Sequence, residues 1–119
     1  MTLTASITVF ATDVAVSRSF YEGILGLTVL EVTDDGFTAR RGDLVVTVEG
    51  GAIARKRGRR WMQEAGLYLT IRTDDFDGLH GDLVKRGASF LGEVAMDGAG
   101  KRFSGLHDPD GVLIEIAEA

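Results

Sequence analysis

The sequence predicts an α+β fold built from two βαβββ modules, because one pattern occurs twice along the chain. Residues 6–13 (SITVFATD) and 68–75 (YLTIRTDD) both alternate polar and apolar side chains and end on an aspartate. Such a segment is typical of a strand that leads into the N-cap of a helix. Each aspartate is followed by apolar residues at helical spacing, and then by three strand-like segments broken by Gly and Asp. An internal repeat of this kind indicates the organisation of the whole chain.

The elements of the two modules can be assigned in order. Glycines at 26 and 87 mark the ends of the two helices. The apolar positions expected on one face of each helix are Val16, Phe20 and Ile24, then Phe76, Leu79, Leu83 and Val84. The strands that follow the helices are expected at 28–33, 36–41, 44–49, 89–95, 101–106 and 112–117. We therefore expect one domain over residues 1–119, with module 1 at about 1–50, a linker at about 51–65 and module 2 at about 66–119.

Composition narrows the classes of protein. A chain of 119 residues that is 45% hydrophobic suits one globular domain, and without cysteine it has no disulfide, thiol nucleophile or thiolate metal site. No long apolar run and no signal-peptide pattern opens the chain, which favours a soluble cytoplasmic protein rather than a membrane protein. The net charge of −5 argues against nucleic acid as a partner.

Alternation along the strands assigns side chains to the two faces of a sheet. The face expected to pack under the helices carries Ile7, Val9, Val46, Val48, Leu67, Leu69, Ile71, Val112, Ile114 and Ile116. The opposite, mixed face carries Ser6, Thr8, Phe10, Thr47, Glu49, Tyr68, Thr70, Arg72, Leu113 and Glu115. If the two sheets lie side by side and curl, this second face lines a cup and Glu115 points into it.

Glu115 is unusual because it is a carboxylate within the largely apolar segment GVLIEIAEA. An unpaired carboxylate is costly to bury, so it should face water, a partner or a site. Arg72 and Tyr68 are the partners that alternation offers, and a bound ligand is the third possibility. Of the two histidines, His80 is expected to pack on the second helix, and His107 to lie at a turn away from the floor of the cup.

Two stretches give the chain a family resemblance: FYEGILGLTVLEV after the first helix start, and FSGLHDPDGVLIEIAE at the C-terminus. They resemble the vicinal oxygen chelate superfamily, which includes glyoxalase I, extradiol dioxygenases, fosfomycin resistance proteins and bleomycin resistance proteins. The resemblance covers essentially the whole chain. It implies paired βαβββ modules that form a half-open barrel, usually in a homodimer.

The resemblance also implies where a divalent metal would be held, at one position on the first and last strand of each module. Glu115 matches such a ligand, whereas Tyr68 and Ser6 stand where a histidine is usual, and the fourth position falls near Thr47. A catalytic metal needs about three protein ligands. We therefore expect no cofactor, with a divalent metal as the alternative.

The expected binding set is Ser6, Thr8, Phe10, Thr47, Glu49, Trp61, Tyr68, Thr70, Arg72 and Glu115. Trp61 follows a basic run over residues 55–60, which is either a solvated loop or a cover over the mouth of the cup that recruits an anion. The resulting hypothesis is a protein that sequesters a small molecule without a complete metal site. The alternative is an enzyme, a divergent lyase, isomerase or dioxygenase, that uses a metal or Glu115 as general base. The sequence does not identify the ligand.

Overall fold

The structure is a computed structural model that describes residues 1–3, 5–51 and 66–119. Module 1 contains β1 (Ile7–Phe10), α1 (Val14–Arg18) with a π-helical continuation (Ser19–Ile24), β2 (Thr28–Val32), β3 (Gly36–Arg41) and β4 (Leu44–Glu49). Module 2 contains β5 (Leu69–Thr73), α2 (Phe76–Lys85), β6 (Ala95–Met96), β7 (Arg102–His107) and β8 (Leu113–Glu118). The two βαβββ modules of the α+β fold are thereby confirmed.

Each module forms a four-stranded sheet with the same topology. The strand orders are β1-β4-β3-β2 and β5-β8-β7-β6, in which the first pair of each sheet is parallel and the other pairs are antiparallel. Among the described strands, none of one sheet pairs with a strand of the other. Within the described ranges, β1 and β5 therefore each stand at an edge of their sheet.

Both helices begin and end where the sequence indicates. The Asp13 carboxylate accepts a hydrogen bond from the Val16 amide at 3.2 Å, and that of Asp75 accepts one from the Gly78 amide at 3.0 Å. These are N-cap bonds, which satisfy amides that have no partner within the helix. After the helices, Gly26 has φ +73° and Gly87 has φ +96°, which only glycine adopts without strain.

The apolar face predicted for the first helix is only partly right. The buried side chains are Ser17, Tyr21 and Leu25, whereas Val16 is 50% exposed. The buried set is displaced by one position from the predicted set, and Val16 lies in α1, before the π-helical continuation. In that continuation the Leu25 amide bonds to the Phe20 carbonyl five residues back.

The predicted sheet faces agree with the burial pattern inside the strands. Val46, Val48, Ile114 and Ile116 are fully buried, and they join the helices in one core that spans both modules. Two residues predicted on the packed face are exposed: Leu67, at 81%, because β5 begins two residues later, and Ile7, at 38%, which is the first residue of β1. The burial of these β-branched residues is the main favourable contribution to folding.

The strand predicted over 89–95 is wrong for most of its length. The chain bends at residues 91–93, and only Ala95 and Met96 pair with β7. Before the bend, the Leu91 amide donates to the Gly105 carbonyl at 2.8 Å, which holds Leu91 against the sheet without forming a strand. Gly92 within the bend is compatible with this break.

The modules are joined through the turn DPDG, residues 108–111. Tyr21 donates its hydroxyl hydrogen to Asp108 at 2.8 Å, and both residues are buried. The amides of Asp110 and Val112 donate to the other oxygen of Asp108, at 2.9 and 2.8 Å. In the same turn, Asp110 accepts from the Thr12 hydroxyl at 2.6 Å. The turn is thus a contact between modules, which turn chemistry alone does not predict.

An ion-pair cluster fastens α2 to its own sheet. Arg102 on β7 pairs with Glu118 at 2.7 Å and with Asp77 at 2.8 Å, and its guanidinium lies 4.9 Å from the centre of the Phe76 ring. These hydrogen bonds hold the pKa of Glu118 below its usual value. No helix in the described ranges is long and apolar enough to cross a membrane.

Replacing Tyr21 by Phe should lower the free energy of unfolding by about 1–3 kcal/mol, because it leaves a buried Asp108 oxygen without its donor. Chemical denaturation measures the change. Tyr68→Phe is the matched control, because Tyr68 is 55% exposed and should tolerate the same substitution. Equal effects of the two substitutions would contradict the role given to the Tyr21 hydroxyl.

The pH dependence of stability should reveal Asp108. Burial raises the pKa of this carboxyl, and hydrogen bonds from Val112 and Tyr21 oppose burial only in part. The folded state therefore binds the proton more tightly than the unfolded state, and the stability contributed by Asp108 falls as pH rises through its raised pKa. Asp108→Asn removes this titration. Urea unfolding between about pH 3 and 7 should show wild type losing stability relative to Asp108→Asn, whereas a difference that is flat or rises with pH would refute the prediction.

Candidate functional site

The exposed face of the first sheet carries a row of hydroxyl groups. Thr8, Thr47 and Thr38 lie side by side on β1, β4 and β3, and the hydroxyls of Thr38 and Thr47 are 3.2 Å apart. Phe10 and Glu49 are in register with each other one step along the same face. This surface can donate and accept hydrogen bonds.

The corresponding face of the second sheet is more apolar. Thr70, Glu115 and Gly105 are in register on β5, β8 and β7. Leu113 and Phe103, both half-buried, flank that row on the same face. The two modules have the same backbone topology but differ in the chemistry of this face.

Glu115 is the unusual side chain of the site. It is half-buried, and it makes no hydrogen bond or ion pair with any other residue that the structure describes. The two contacts that the sequence offers, with Arg72 and with Tyr68, are not formed. Glu118 provides the contrast three residues along the same strand, since Arg102 occupies its carboxylate. Glu115 is therefore available to a bound molecule.

Arg72 lies instead at a cleft between the modules. The cleft has a volume of about 590 Å³ and is lined by Leu25, Leu27, Arg41, Gly42, Leu44, Ile71, Arg72, Thr73, Asp75, Gly78, Leu79, Asp82 and Leu83. Its charged groups are largely engaged: Arg41 bonds to Asp82 at 2.9 Å and to the Leu25 carbonyl at 2.8 Å. Desolvation acts to raise the pKa of Asp82, but hydrogen bonds from Arg41 and Arg86 outweigh it, and the pKa is lowered. We assign this cleft to the joint between modules rather than to the cup.

The remaining predicted residues fall into three groups. Ser6 and Tyr68 each lie one residue before the first strand of their module and are exposed. Trp61 and the basic run at 55–60 lie outside the described residues. His80 packs as expected, stacked 4.5 Å from the Phe90 ring and 5.8 Å from the Phe76 ring.

The turn expected at His107 begins one residue later. His107 is the last residue of β7 and is in register with Leu113, so it is on the same sheet face as Glu115. The strand extends one residue further towards the DPDG turn than alternation suggested, because the Asp108 amide bonds to the Val112 carbonyl and closes the hairpin.

The residues present do not fit a divalent metal of the kind that the resemblance implies. Ser6, Thr47 and Tyr68 bear neutral hydroxyls, which leaves Glu115 as one anionic ligand of four positions. Within the described ranges, no three His, Cys, Asp or Glu side chains come together as a metal site requires. We derive no chemical step through a metal.

Sequence reasoning missed two members of the exposed face, Gly105 and Leu91. The Leu91 side chain reaches over Gly105, since a Cβ placed on Gly105 would lie 3.8 Å from a Leu91 methyl group. The signal was available for Gly105, because the predicted strand at 101–106 alternates around it. The pairing of that strand with β8 was the missing information.

The fold and the exposed faces define a class of protein: a small domain of two βαβββ modules that presents an open, chemically mixed sheet surface. The chain belongs to the glyoxalase/bleomycin resistance protein/dioxygenase superfamily, whose family model matches residues 4–116. No curated protein sequence matches it significantly.

Solved structures share the fold at low sequence identity. A glyoxalase/bleomycin resistance protein/dioxygenase from Alicyclobacillus acidocaldarius is 20% identical, with a TM-score of 0.79 over 97% of this chain and 89% of that one. A bleomycin-binding protein in complex with bleomycin is 18% identical, with a TM-score of 0.75 over 99% of each chain. A bleomycin resistance determinant encoded on transposon Tn5 is 19% identical, with a TM-score of 0.76 over 98% of each chain.

Stability measurements should distinguish the two glutamates of β8. Glu115→Gln should leave the midpoint of thermal unfolding unchanged or raise it, because it removes a half-buried charge that has no partner among the described residues. Glu118→Gln, the matched control, should lower the midpoint because it weakens the pairing with Arg102. A loss of stability in Glu115→Gln equal to that in Glu118→Gln would show that Glu115 has a structural partner.

Proposed function

We propose that this protein binds a small organic molecule in a cup lined by the exposed faces of its two sheets. The observation that carries the proposal is Glu115, a half-buried carboxylate that no described residue satisfies. A half-buried carboxylate without a partner among the described residues can accept a hydrogen bond from a bound molecule. Hydroxyls on one sheet and apolar side chains on the other suit a molecule with both polar and apolar parts.

The proposal includes a symmetric homodimer. Within the described residues of one chain the two sheets are not joined by strand pairing, and the edge strands β1 and β5 each leave one side open. Open edges invite pairing or coverage by another chain. A two-fold dimer can bring the first sheet of one copy beside the second sheet of its partner, and it does so twice. Each cup then has walls from both copies.

Membership of the family supports ligand binding in general terms, and all three of the structural neighbours named above bear names that refer to bleomycin. The proposal includes a cytoplasmic location, which rests on the sequence alone. It requires no metal, since hydroxyls and one carboxylate suffice to orient an organic ligand.

A second candidate is an enzyme in which Glu115 acts as general base on the bound molecule. The same unpaired carboxylate favours it, because a base must be free to accept a proton from the substrate. The two candidates differ in the fate of the ligand, which is recovered unchanged after binding and altered after turnover.

Calorimetric titration with bleomycin, together with cationic, neutral and anionic aromatic compounds, tests the proposal. A ligand of the cup should bind wild type, and Glu115→Gln should weaken it about tenfold through loss of a charged hydrogen bond. Glu118→Gln should bind as wild type does, because Glu118 is occupied by Arg102. Mass spectrometry of the recovered ligand separates binding from turnover.

The proposal fails if no compound in this set binds and native mass spectrometry of protein purified from cells finds no bound small molecule. It also fails if Glu115→Gln and wild type bind every ligand equally. The dimer is tested separately by sedimentation velocity, which should give twice the 12.8 kDa of one chain. A monomer at every concentration would refute the shared cup.

A further inference from the structure

Gly105 stands in the interior of β7, in register with Glu115 on the neighbouring strand. Glycine weakens a strand because it is flexible when unfolded and offers no side chain to pack. A glycine at such a position therefore calls for a reason, either in the backbone or in something that approaches it.

The backbone provides no reason. Gly105 is not among the glycines with positive φ. A Cβ built on it would meet a Leu113 methyl group at 3.6 Å, the Ile114 carbonyl oxygen at 3.7 Å and a Leu91 methyl group at 3.8 Å, all ordinary contacts. Gly36 on β3 is different, because a Cβ there would collide with the carbonyl oxygen of Val48. Alanine is thus accommodated at 105 and excluded at 36.

The surface over Gly105, called the seat below, is bordered by Leu91, Leu113 and Glu115. Methyl groups of Leu91 and Leu113 lie 3.8 and 3.6 Å from the position that a Cβ on Gly105 would take, and Glu115, which bonds to no described residue, is in register with Gly105 on the neighbouring strand. A flat group can lie on the peptide surface where a side chain would otherwise stand. A cationic N–H donor on that group would satisfy the carboxylate.

We propose that Gly105 and Glu115 form a subsite for a flat, apolar ring that carries a cationic N–H group. The ring lies over Gly105 between Leu91 and Leu113, and the N–H group donates to Glu115. This inference rests on the proposed function and specifies the ligand class of the same cup. Neither a saturated cation nor a flat anion satisfies both halves of the subsite.

Three probes separate shape from charge: proflavine is flat and cationic, anthracene carboxylate is flat and anionic, and cyclohexylammonium is cationic but not flat. Wild type should bind proflavine most tightly. Gly105→Ala should weaken proflavine about tenfold, because a methyl group occupies the seat, and Gly105→Val should abolish binding. Glu115→Gln should reduce the preference for proflavine over anthracene carboxylate about tenfold.

Stability provides a readout that needs no ligand. Gly105→Ala should raise the midpoint of thermal unfolding by about 2–4 °C, because alanine restricts the unfolded chain and fits the folded one. Gly98→Ala is the matched control for binding: it adds a methyl group in open space at an exposed turn and should leave proflavine affinity unchanged.

The Gly105 variants and the binding tests distinguish a structural glycine from one that contacts a ligand. If Gly105→Ala lowers the unfolding midpoint, the glycine is structural and the subsite is wrong. If wild type binds bleomycin or another ligand through Glu115 but Gly105→Ala leaves its affinity unchanged, or proflavine does not bind, the subsite is overturned while the proposed function stands. If nothing binds to wild type, both are overturned.

Discussion

The hydrogen bonds to Asp108 are the constraint on which the rest of the structure depends. One oxygen receives the Tyr21 hydroxyl of module 1, and the other receives two amides of its own turn. Burial makes this carboxyl costly to ionise, and these donors reduce that cost. The same carboxyl thus closes the turn, starts β8 at Leu113 and attaches the turn to the first helix. Because β8 begins at Leu113, Glu115 lies two residues further along the strand on the same face of the sheet.

The two modules show how one backbone plan can carry two surfaces. Their first and last strands pair in parallel with the same relative register, so Thr8 beside Thr47 corresponds to Thr70 beside Glu115. On the third strand the counterparts are Thr38 and Gly105. The row on the first sheet therefore carries three hydroxyl groups, whereas the row on the second carries a hydroxyl, a carboxylate and a glycine. Only differences in side chains produce this asymmetry.

Much of the fold could be predicted from the sequence, because its signals are local. Asp13 and Asp75 indicated the helix starts, breaks at Gly and Asp indicated the bounds of β3 and β4, and alternation indicated the faces of Ile114 and Glu115. The exposed position of Val16 could not be predicted, because the spacing of Val16, Phe20 and Ile24 is the same as that of the buried residues Ser17, Tyr21 and Leu25. The failure at residues 89–95 has a similar origin, since an apolar run does not show where the chain will bend.

The candidate site was predicted less completely, because its contacts depend on pairing between distant segments. Tyr21 and Asp108 are 87 positions apart, and neither residue signals the other. The missing contact between Arg72 and Glu115 and the place of His107 within β7 have the same origin: alternation gives a face, but not which side chains on that face touch or where a hairpin ends. Glu115 stood out in the sequence as a carboxylate in an apolar strand, whereas Gly105 was overlooked because its pairing with β8 was not known.

The π-helical segment of module 1 has a consequence for how the protein is made. Tyr21, which it buries, bonds to a residue 87 positions later, and Thr12 bonds to one 98 positions later. During synthesis the first module can therefore form while Tyr21 and Thr12 still lack these partners, which follow only after nearly all of the second module has left the ribosome. The nascent first half would meanwhile expose Tyr21 and its apolar neighbours to chaperones.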